Sequence, residues 1–325
     1  MTAHRERHRV AVDAGAADIL AALSRTPKQV PSRYLYDPLG LALFDAICEL
    51  PWYGLMRAER RLLARHAGDV FAAVPGATRV IVLGSGSGEK LRVLLKGRGA
   101  VPHDVELIDF SAAALDRSAR MLADLAGVRV HPRRATYEDG LELVAAAPRR
   151  PGRTVAVFLG SNIGNSTPQE AASLLDRVRR VLADGDALLL GADLVKPEPV
   201  LRLAYDDPLG VTAAFNRNLL VRLNRELGGD FDLANFDHEM RWHAAASRVE
   251  MHLRARRPQD VCLAAVGMRL RLESGESIWT ESSCKYEPGQ IRDMLAAAGF
   301  DTRAQWIDRD DRFALTLGML RCSKL

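Results

Sequence analysis

The sequence is poor in cysteine and lacks long apolar, basic or low-complexity segments. Its four cysteines, Cys48, Cys262, Cys284 and Cys322, form no CxxC pair of the kind that binds zinc or carries out redox chemistry. No segment approaches the ~18 apolar residues of a membrane span, and the N-terminus lacks the apolar core of a signal peptide. The net charge is +4, with acids interspersed among the basic residues, which disfavours nucleic-acid binding. We therefore expect a cytoplasmic monomer with reduced thiols and neither a membrane nor a nucleic-acid partner.

Apolar residues are abundant, at 48% of 325 residues, which predicts a large core in two domains or one elaborated domain. Predicted strands cover 79–83, 105–109, 128–131, 154–159 and 187–193. Predicted helices cover 11–28, 41–49, 59–74, 89–96, 111–126 and 167–183. Because strands and helices alternate from residue 79 to residue 193, we expect a parallel α/β sheet that binds its ligand at the carboxyl ends of its strands.

The pattern changes near Pro197. A long helix is predicted over 203–227, and period-two alternation predicts antiparallel strands at 248–253, 261–266 and 268–272. A helix over 291–298 and a strand over 313–320 follow. The simplest organisation is a core of 61–196 completed by 286–325, with a second domain formed by 1–60 and 197–285.

A glycine-rich turn follows the first strand of this sheet. Residues 80–90 read V-I-V-L-G-S-G-S-G-E-K, in which Gly84, Gly86 and Gly88 permit a tight turn before a helix. The next strand ends in Asp109, an acid that can accept both hydroxyls of a ribose. The spacing G-x-G-x-G is the looser form seen in S-adenosylmethionine (SAM) methyltransferases, whereas dinucleotide enzymes use G-x-G-x-x-G. The unit is therefore predicted to bind a nucleoside.

Two polar segments lie where a ligand is expected. Residues 160–166, G-S-N-I-G-N-S, follow a predicted strand, so Asn165 either serves turn chemistry or holds a substrate's amino or carboxylate group. In T-E-S-S-C-K-Y, residues 280–286, Glu281 and Ser283 would share one face of an extended strand. That face either is an exposed sheet edge or offers an acceptor and a donor to one planar polar ring.

Several blocks give the chain a family resemblance from about Pro31 to Leu320. They are S-R-Y-L-Y-D-P-L-G, L-F-D-A-I-C-E-L-P-W-Y, L-G-S-G-S-G-E-K, F-L-G-S-N-I-G-N, A-Y-D-D-P-L-G-V-T-A-A-F-N-R-N, R-V-E-M-H-L-R-A and T-E-S-S-C-K-Y. Together they resemble the histidine-specific Nα-methyltransferases of ergothioneine biosynthesis. The resemblance implies a Rossmann-like, SAM-dependent methyltransferase core with a second, mixed α+β substrate-binding domain. It also implies trimethylation of the α-amino group of L-histidine to hercynine.

The resemblance further implies roles for individual residues. The implied SAM-binding residues are Gly84, Gly86, Lys90, Asp109, Thr136 and Tyr137. The implied substrate-binding residues are Tyr53, Asn165 and Tyr205 at the amino-acid end, Glu281, Ser282 and Ser283 at the imidazole, and Phe44 and Met251 in the pocket wall with Tyr36. We expect two of these to be catalytic: Asn165 would orient the amine lone pair, and Tyr36 would pass its protons outward. Aromatic walls would also suit a quaternary ammonium product.

Two positions depart from the family pattern and leave alternatives open. Val82 stands where the family usually has an acid, and A-T-Y at 135–137 stands where it usually has G-D-F near the adenine. We expect weaker SAM binding with function retained. The alternatives are an Nα-methyltransferase for another amino acid or a non-catalytic relative that binds SAM or histidine. No metal site is predicted, since the histidines at 238, 243 and 252 have no recognisable ligand spacing.

Overall fold

A computed structural model describes residues 16–98, 103–149 and 151–321. The chain divides into two compact units, each built from two separate segments. We refer to Met1–Trp52 with Glu198–Ser282 as the insert unit, and to Tyr53–Pro197 with Ser283–Leu325 as the sheet unit. The assignment of a substrate-binding role to one domain and a SAM-binding role to the other stays a prediction.

The helices and strands are numbered in chain order. The helices are α1 (16–23), α2 (Pro38–Glu49), α3 (Leu55–Ala73), α4 (Glu89–Lys96), α5 (Ala112–Leu122), α6 (Tyr137–Ala146), α7 (Pro168–Val181), α8 (Glu198–Tyr205), α9 (Val211–Leu227) and α10 (Pro288–Ala297). The strands are β1 (Ala77–Leu83), β2 (His103–Asp109), β3 (Val128–Arg134), β4 (Arg153–Phe158), β5 (Ala187–Asp193), β6 (Phe236–His243), β7 (Arg248–Ala255), β8 (Gln259–Leu263), β9 (Met268–Leu272), β10 (Ser277–Cys284), β11 (Phe300–Asp308) and β12 (Phe313–Leu320). Within the described ranges, no helix is long and apolar enough to cross a membrane.

The sheet unit contains a seven-stranded sheet in the order β11-β12-β5-β4-β1-β2-β3. Strands β1 to β5 pair in parallel, whereas β12 runs antiparallel to both β5 and β11. The strand order reverses between β1 and β4, and ligands of such sheets bind at this switch point. The predicted Rossmann-like α/β fold is confirmed.

The core of the sheet unit follows from its apolar strands. Every residue of β5 is buried, because helices cover both faces of a parallel sheet. Helix α7 contributes Leu174 and Val178 to the same core. It begins as its sequence predicts, with Thr167 and Glu170 forming a capping box on either side of the first-turn proline.

The insert unit is a mixed α+β structure. It contains a three-stranded sheet in the order β10-β7-β6 and a separate antiparallel hairpin of β8 and β9. Strands β6 and β7 are also antiparallel, as the alternation in 248–253 predicts. Helix α9 buries Phe215, Leu219 and Leu223 along one face, and this face supplies much of the unit's apolar core. The additional antiparallel strands agree with the predicted second, mixed domain.

The predicted helix over 203–227 is wrong as a single element. The chain leaves α8 after Tyr205 and starts α9 at Val211. Asp207 causes the break, because its carboxylate accepts hydrogen bonds from the backbone N–H groups of Val211 at 3.1 Å and Thr212 at 2.7 Å. The pKa of Asp207 lies below its ordinary value because these hydrogen bonds outweigh its burial.

Other differences are confined to polar or short segments. The predictions omit α6, β6 and β11, and the strand predicted over 261–266 ends at Leu263. The described part of the predicted helix 11–28 is helical only over 16–23, and residues 11–15 lie outside the described residues. Cys48, Cys262 and Cys284 form no disulfide bond in the part of the chain that the structure describes, and Cys322 lies outside it.

Candidate active site

The glycine turn between β1 and α4 brings bare backbone against the loop after β4. Gly84 has φ +80°, and a Cβ at this position would lie 2.7 Å from Asn162 Nδ2 and 2.8 Å from the Tyr137 hydroxyl. A side chain is therefore excluded both by the left-handed backbone and by these neighbours. The first N–H groups of α4 have no intrahelical acceptors, and that of Glu89 donates to Ser87 Oγ at 3.4 Å.

Asp109 ends β2 beside the glycine turn and holds its backbone. Its Oδ2 atom accepts from the Ser85 backbone N at 2.8 Å and the Ser85 Oγ at 3.0 Å, and Oδ1 accepts from the Ser111 N at 2.9 Å. A carboxylate accepts about four hydrogen bonds. Gly86 N is a fourth donor to this carboxylate, at 3.5 Å. Binding both hydroxyls of a ribose would therefore require the Ser85 hydroxyl to rotate away and this long contact from Gly86 to be lost.

Lys90 is paired with a buried acid that the sequence analysis did not identify. Its Nζ lies 2.6 Å from Glu59 Oε2, and Glu59 is fully buried. The same carboxylate accepts from the backbone N of Gly160 at 2.8 Å. Gly191 leaves room for it, since a Cβ there would lie 2.1 Å from Glu59 Oε1. Glu59 thus joins α3 and α4 to the loop after β4.

Thr136 and Tyr137 start α6 at the same edge of the sheet. The Thr136 side chain caps the helix by accepting from Asp139 N at 3.2 Å. The Tyr137 ring packs edge-on against Phe158, with centroids 5.4 Å apart, and its hydroxyl is hydrogen-bonded to the Asn162 side chain. Burial raises the pKa of Tyr137 above its ordinary value, and the charge of Asp109 adds to the effect. Adenine contacts for both residues stay predictions.

The loop after β4 is held in an unusual conformation. Ser161 has φ +57°, a left-handed value that is rare for a residue with a side chain. Its Oγ accepts a hydrogen bond from the backbone N of Asp193 at 2.9 Å. Gly164 follows, where a Cβ would lie 2.7 Å from the Cys284 carbonyl oxygen. Asn165, which is partly buried, ends this turn. Tyr53 belongs to the same unit; it is buried and lies just before α3.

Three of the predicted substrate residues meet inside the insert unit. The Tyr36 hydroxyl donates a hydrogen bond to Glu281 Oε1 at 3.3 Å. The Tyr36 ring lies 5.5 Å from that of Phe44 and 5.5 Å from that of Phe215, centroid to centroid. Phe215 was missed, although its block A-A-F-N-R-N stands in the sequence. The insert unit thus places one hydroxyl and one carboxylate beside three aromatic rings.

Buried polar contacts hold the neighbouring strands and helices of the insert unit. Asn216 is fully buried, accepts from Thr280 Oγ1 at 2.6 Å and donates to His238 Nδ1 at 2.9 Å. His238 must therefore carry its proton on Nε2, which donates to the Tyr205 carbonyl oxygen at 2.8 Å. The Thr280 Oγ1 atom also lies 3.0 Å from the carbonyl oxygen of Met251, so its one proton is shared between the two acceptors. The network fixes the backbone at Tyr205 and Met251, two further predicted substrate residues.

The other described histidines of this unit lie in the same sheet. His243 and His252 both contact the carboxylate of Glu250, at 3.1 and 3.0 Å. Among the described residues, no group of three or more His, Cys, Asp or Glu side chains could hold a metal ion.

The imidazole-binding prediction concerns the end of β10. Glu281 is partly buried, Ser282 follows it, and Ser283 is buried. Their contact with a ring stays a prediction, as do the cofactor contacts of Gly84, Gly86 and Lys90.

Comparison with known proteins identifies one family model and several relatives that match most of the chain. Residues 15–319 match a family model described as "Histidine-specific methyltransferase, SAM-dependent". Histidine N-alpha-methyltransferase of Mycobacterium tuberculosis is 41% identical, with 92% of this chain and 93% of that protein covered. Its counterpart from Mycolicibacterium smegmatis is 39% identical over 95% of this chain and 96% of that protein. Ergothioneine biosynthesis protein 1 of Neurospora crassa is 27% identical over 92% of this chain and 34% of that longer protein.

Proposed function

Because the chain belongs to the family of histidine-specific, SAM-dependent methyltransferases, we propose that it trimethylates the α-amino group of L-histidine to hercynine. This is the first step of ergothioneine biosynthesis, to which the related fungal protein is assigned by name. The predictions of the family and of SAM as the cofactor are confirmed. The single observation that carries the substrate is the match over residues 15–319 to a histidine-specific family.

The residues of the sheet unit fit the cofactor. Gly84 allows close approach to the backbone, and Asp109 supplies a carboxylate beside the same turn. Gly86, Lys90, Thr136 and Tyr137 complete the proposed set. SAM supplies an activated methyl group on a sulfonium, so neither a metal nor a covalent enzyme intermediate is required.

The protein's task is to present the amine as a neutral nucleophile in the correct direction. Positioning of this kind accounts for much of the rate of such transfers. Asn165 is proposed to orient the amine lone pair, with Tyr53 and Tyr205 holding the amino-acid end. Tyr36 donates to Glu281 at 3.3 Å, and a phenol oxygen in that arrangement can still accept an N–H from the amine. Tyr36 is therefore proposed to take the proton outward.

Three methylations convert the amine to a fixed cation. The rings of Tyr36, Phe44 and Phe215 form an aromatic group in the insert unit that favours a quaternary ammonium through cation–π attraction. Glu281 supplies the acceptor for the imidazole N–H, and Ser283 supplies a hydroxyl. Met251 and Ser282 complete the proposed side-chain contacts.

Mass spectrometry of the purified protein with SAM and all twenty amino acids tests the proposal. We expect gains of one, two and three methyl groups on histidine alone. Methylation of another amino acid would retain the reaction and overturn the substrate. SAM binding without methylation of any amino acid would overturn the enzymatic function in favour of a binding protein.

A further inference from the structure

A buried charged cluster in the sheet unit lies next to Ser283. Lys285 is fully buried, and its Nζ donates to Ser283 Oγ at 2.7 Å and pairs with Asp193 Oδ2 at 2.9 Å. Lys196 pairs with the other oxygen of the Asp193 carboxylate. None of these three charged residues belongs to the glycine turn or to the proposed amino-acid contacts.

The backbone around this cluster is also fixed. The N–H of Tyr286 donates to the carbonyl oxygen of Asp193 at 3.0 Å, and the N–H of Val195 donates to the Tyr286 carbonyl oxygen at 3.1 Å. Leu194 and Tyr286 form a parallel bridge. The chain leaving β10 is therefore paired with the end of β5, and the ammonium of Lys285 has little freedom to leave Ser283.

The contact determines how the Ser283 hydroxyl is oriented. An ammonium group has three donors and no acceptor, so the serine oxygen must be the acceptor in its contact with Lys285. The hydroxyl proton must then point away from Lys285 and can be donated to another group. A serine hydroxyl can ordinarily act as donor or acceptor. The contact with Lys285 therefore favours its acting as a hydrogen-bond donor toward a ligand.

The charged groups of this cluster are Lys285, Lys196 and Asp193. Two ammonium groups share one carboxylate at Asp193. Burial lowers the pKa of Lys196, and the charge of Lys285 lowers it further, although Asp193 opposes both effects. The Asp193 carboxylate beside Ser283 is therefore matched by two ammonium groups.

We propose that Lys285, held by Asp193, is a positioning residue that fixes Ser283 as a hydrogen-bond donor and so selects neutral imidazole. The ring would present an acceptor nitrogen to Ser283 and an N–H to Glu281. This inference rests on the proposed function. A site built in this way rejects rings that lack either group, because a buried polar group would lose its partner.

Lys285→Met tests the inference, because methionine keeps the length of the side chain and removes the donor. We expect the KM for histidine to rise about 10- to 100-fold, while the Kd for SAM changes less than about twofold. Lys28→Met is the matched control, since Lys28 pairs with Glu276 in the insert unit and should leave both constants unchanged. A Lys285→Met protein with the wild-type KM for histidine would overturn the inference.

A double-mutant cycle separates positioning from general stability. If Lys285 acts through the serine hydroxyl, Ser283→Ala with Lys285→Met should lose no more histidine affinity than Ser283→Ala alone. Fully additive losses would refute this route.

The wild-type protein supplies a readout that does not depend on how the variants fold. In its complex with 15N-labelled histidine and S-adenosylhomocysteine, NMR should show one protonated and one unprotonated ring nitrogen at pH 6. Two protonated nitrogens would overturn the inference. If the wild-type protein does not methylate histidine, the proposed function fails instead.

Discussion

The two units use their buried polar side chains in different ways. In the sheet unit, Asp109 and Glu59 accept hydrogen bonds from backbone N–H groups and so hold the course of loops. In the insert unit, Asn216 and Glu281 contact other side chains. A cofactor common to many enzymes can be bound by backbone groups, whereas a particular amino acid must be recognised by particular side chains. Substitutions of Asp109 and Glu59 should therefore affect folding and SAM binding together, whereas substitution of Glu281 should affect the substrate.

The largest effect is expected at Glu59, where a substitution should lower both stability and SAM affinity. Glu59→Ala removes the partner of Lys90 and the acceptor for Gly160 N–H, and it should lower the free energy of unfolding by about 3 kcal/mol. Urea denaturation measures the loss, and SAM affinity should fall with it. Glu59→Gln keeps an acceptor without the charge and should lose less. Equal stability of all three proteins would show that the buried pair does not hold the loop.

The next largest effect is expected at Tyr36, where a substitution in the insert unit should lower kcat without changing SAM affinity. Tyr36→Phe keeps the ring packing against Phe44 and Phe215 and removes the hydroxyl that contacts Glu281. We expect kcat to fall about 100-fold through loss of proton transfer, with SAM affinity unchanged. Quenched methyl-transfer assays of the variant and the wild type, run at a series of pH values, measure this change in kcat. An unchanged kcat at every pH would remove Tyr36 from this role.

A smaller effect is expected at Glu281. Glu281→Ala should raise the KM for histidine about 30-fold, because a charge-assisted hydrogen bond to the ring is lost. The Kd for SAM, measured by calorimetry, should stay within about twofold. Glu276→Ala is the control, since this carboxylate pairs with Lys28 in the same unit. Equal losses of histidine and SAM affinity would indicate misfolding instead.

The smallest effect concerns acid stability of the insert unit. Burial lowers the pKa of His238 despite its hydrogen bond to the Tyr205 carbonyl oxygen and the nearby Asp206. The unfolded chain therefore binds a proton at a higher pH than the folded one, and stability is lost as the pH falls below about 6.5. His252, whose pKa burial also lowers, acts in the same sense. Thermal unfolding between pH 7 and pH 5 should show this loss, reduced in His238→Gln; an identical pH dependence would contradict it.

The sequence predicts the sheet well because its strands are continuous apolar runs. Strands β1, β4 and β5 are buried almost throughout, and such runs have few alternative structures. Strand β6, F-D-H-E-M-R-W-H, was missed because charged residues alternate along a partly exposed face, and β11 was missed for a similar reason. Local patterns carry little information about a strand whose pairing partner supplies its stability.

The candidate site divides along the same line. Gly84 and Asp109 were predicted because both lie in one short βαβ motif. The contact of Tyr36 with Glu281 joins residues 245 positions apart, and that of Glu59 with Gly160 joins residues 101 apart. No local pattern marks Glu59, which stands among arginines on an amphipathic helix. Contacts of this kind depend on the fold that brings distant elements together.

Gly164 has a consequence for protein engineering. Its missing Cβ allows the turn that carries Asn165 to lie directly against the carbonyl oxygen of Cys284, the neighbour of Ser283. The distance between the Asn165 amide, proposed to orient the amine, and the Ser283 hydroxyl, proposed to bind the ring, is thus governed by a residue with no side chain. Enlarging that residue would act as a spacer, so position 164 is a place from which a library could be built to admit longer amino acids without altering any contacting group.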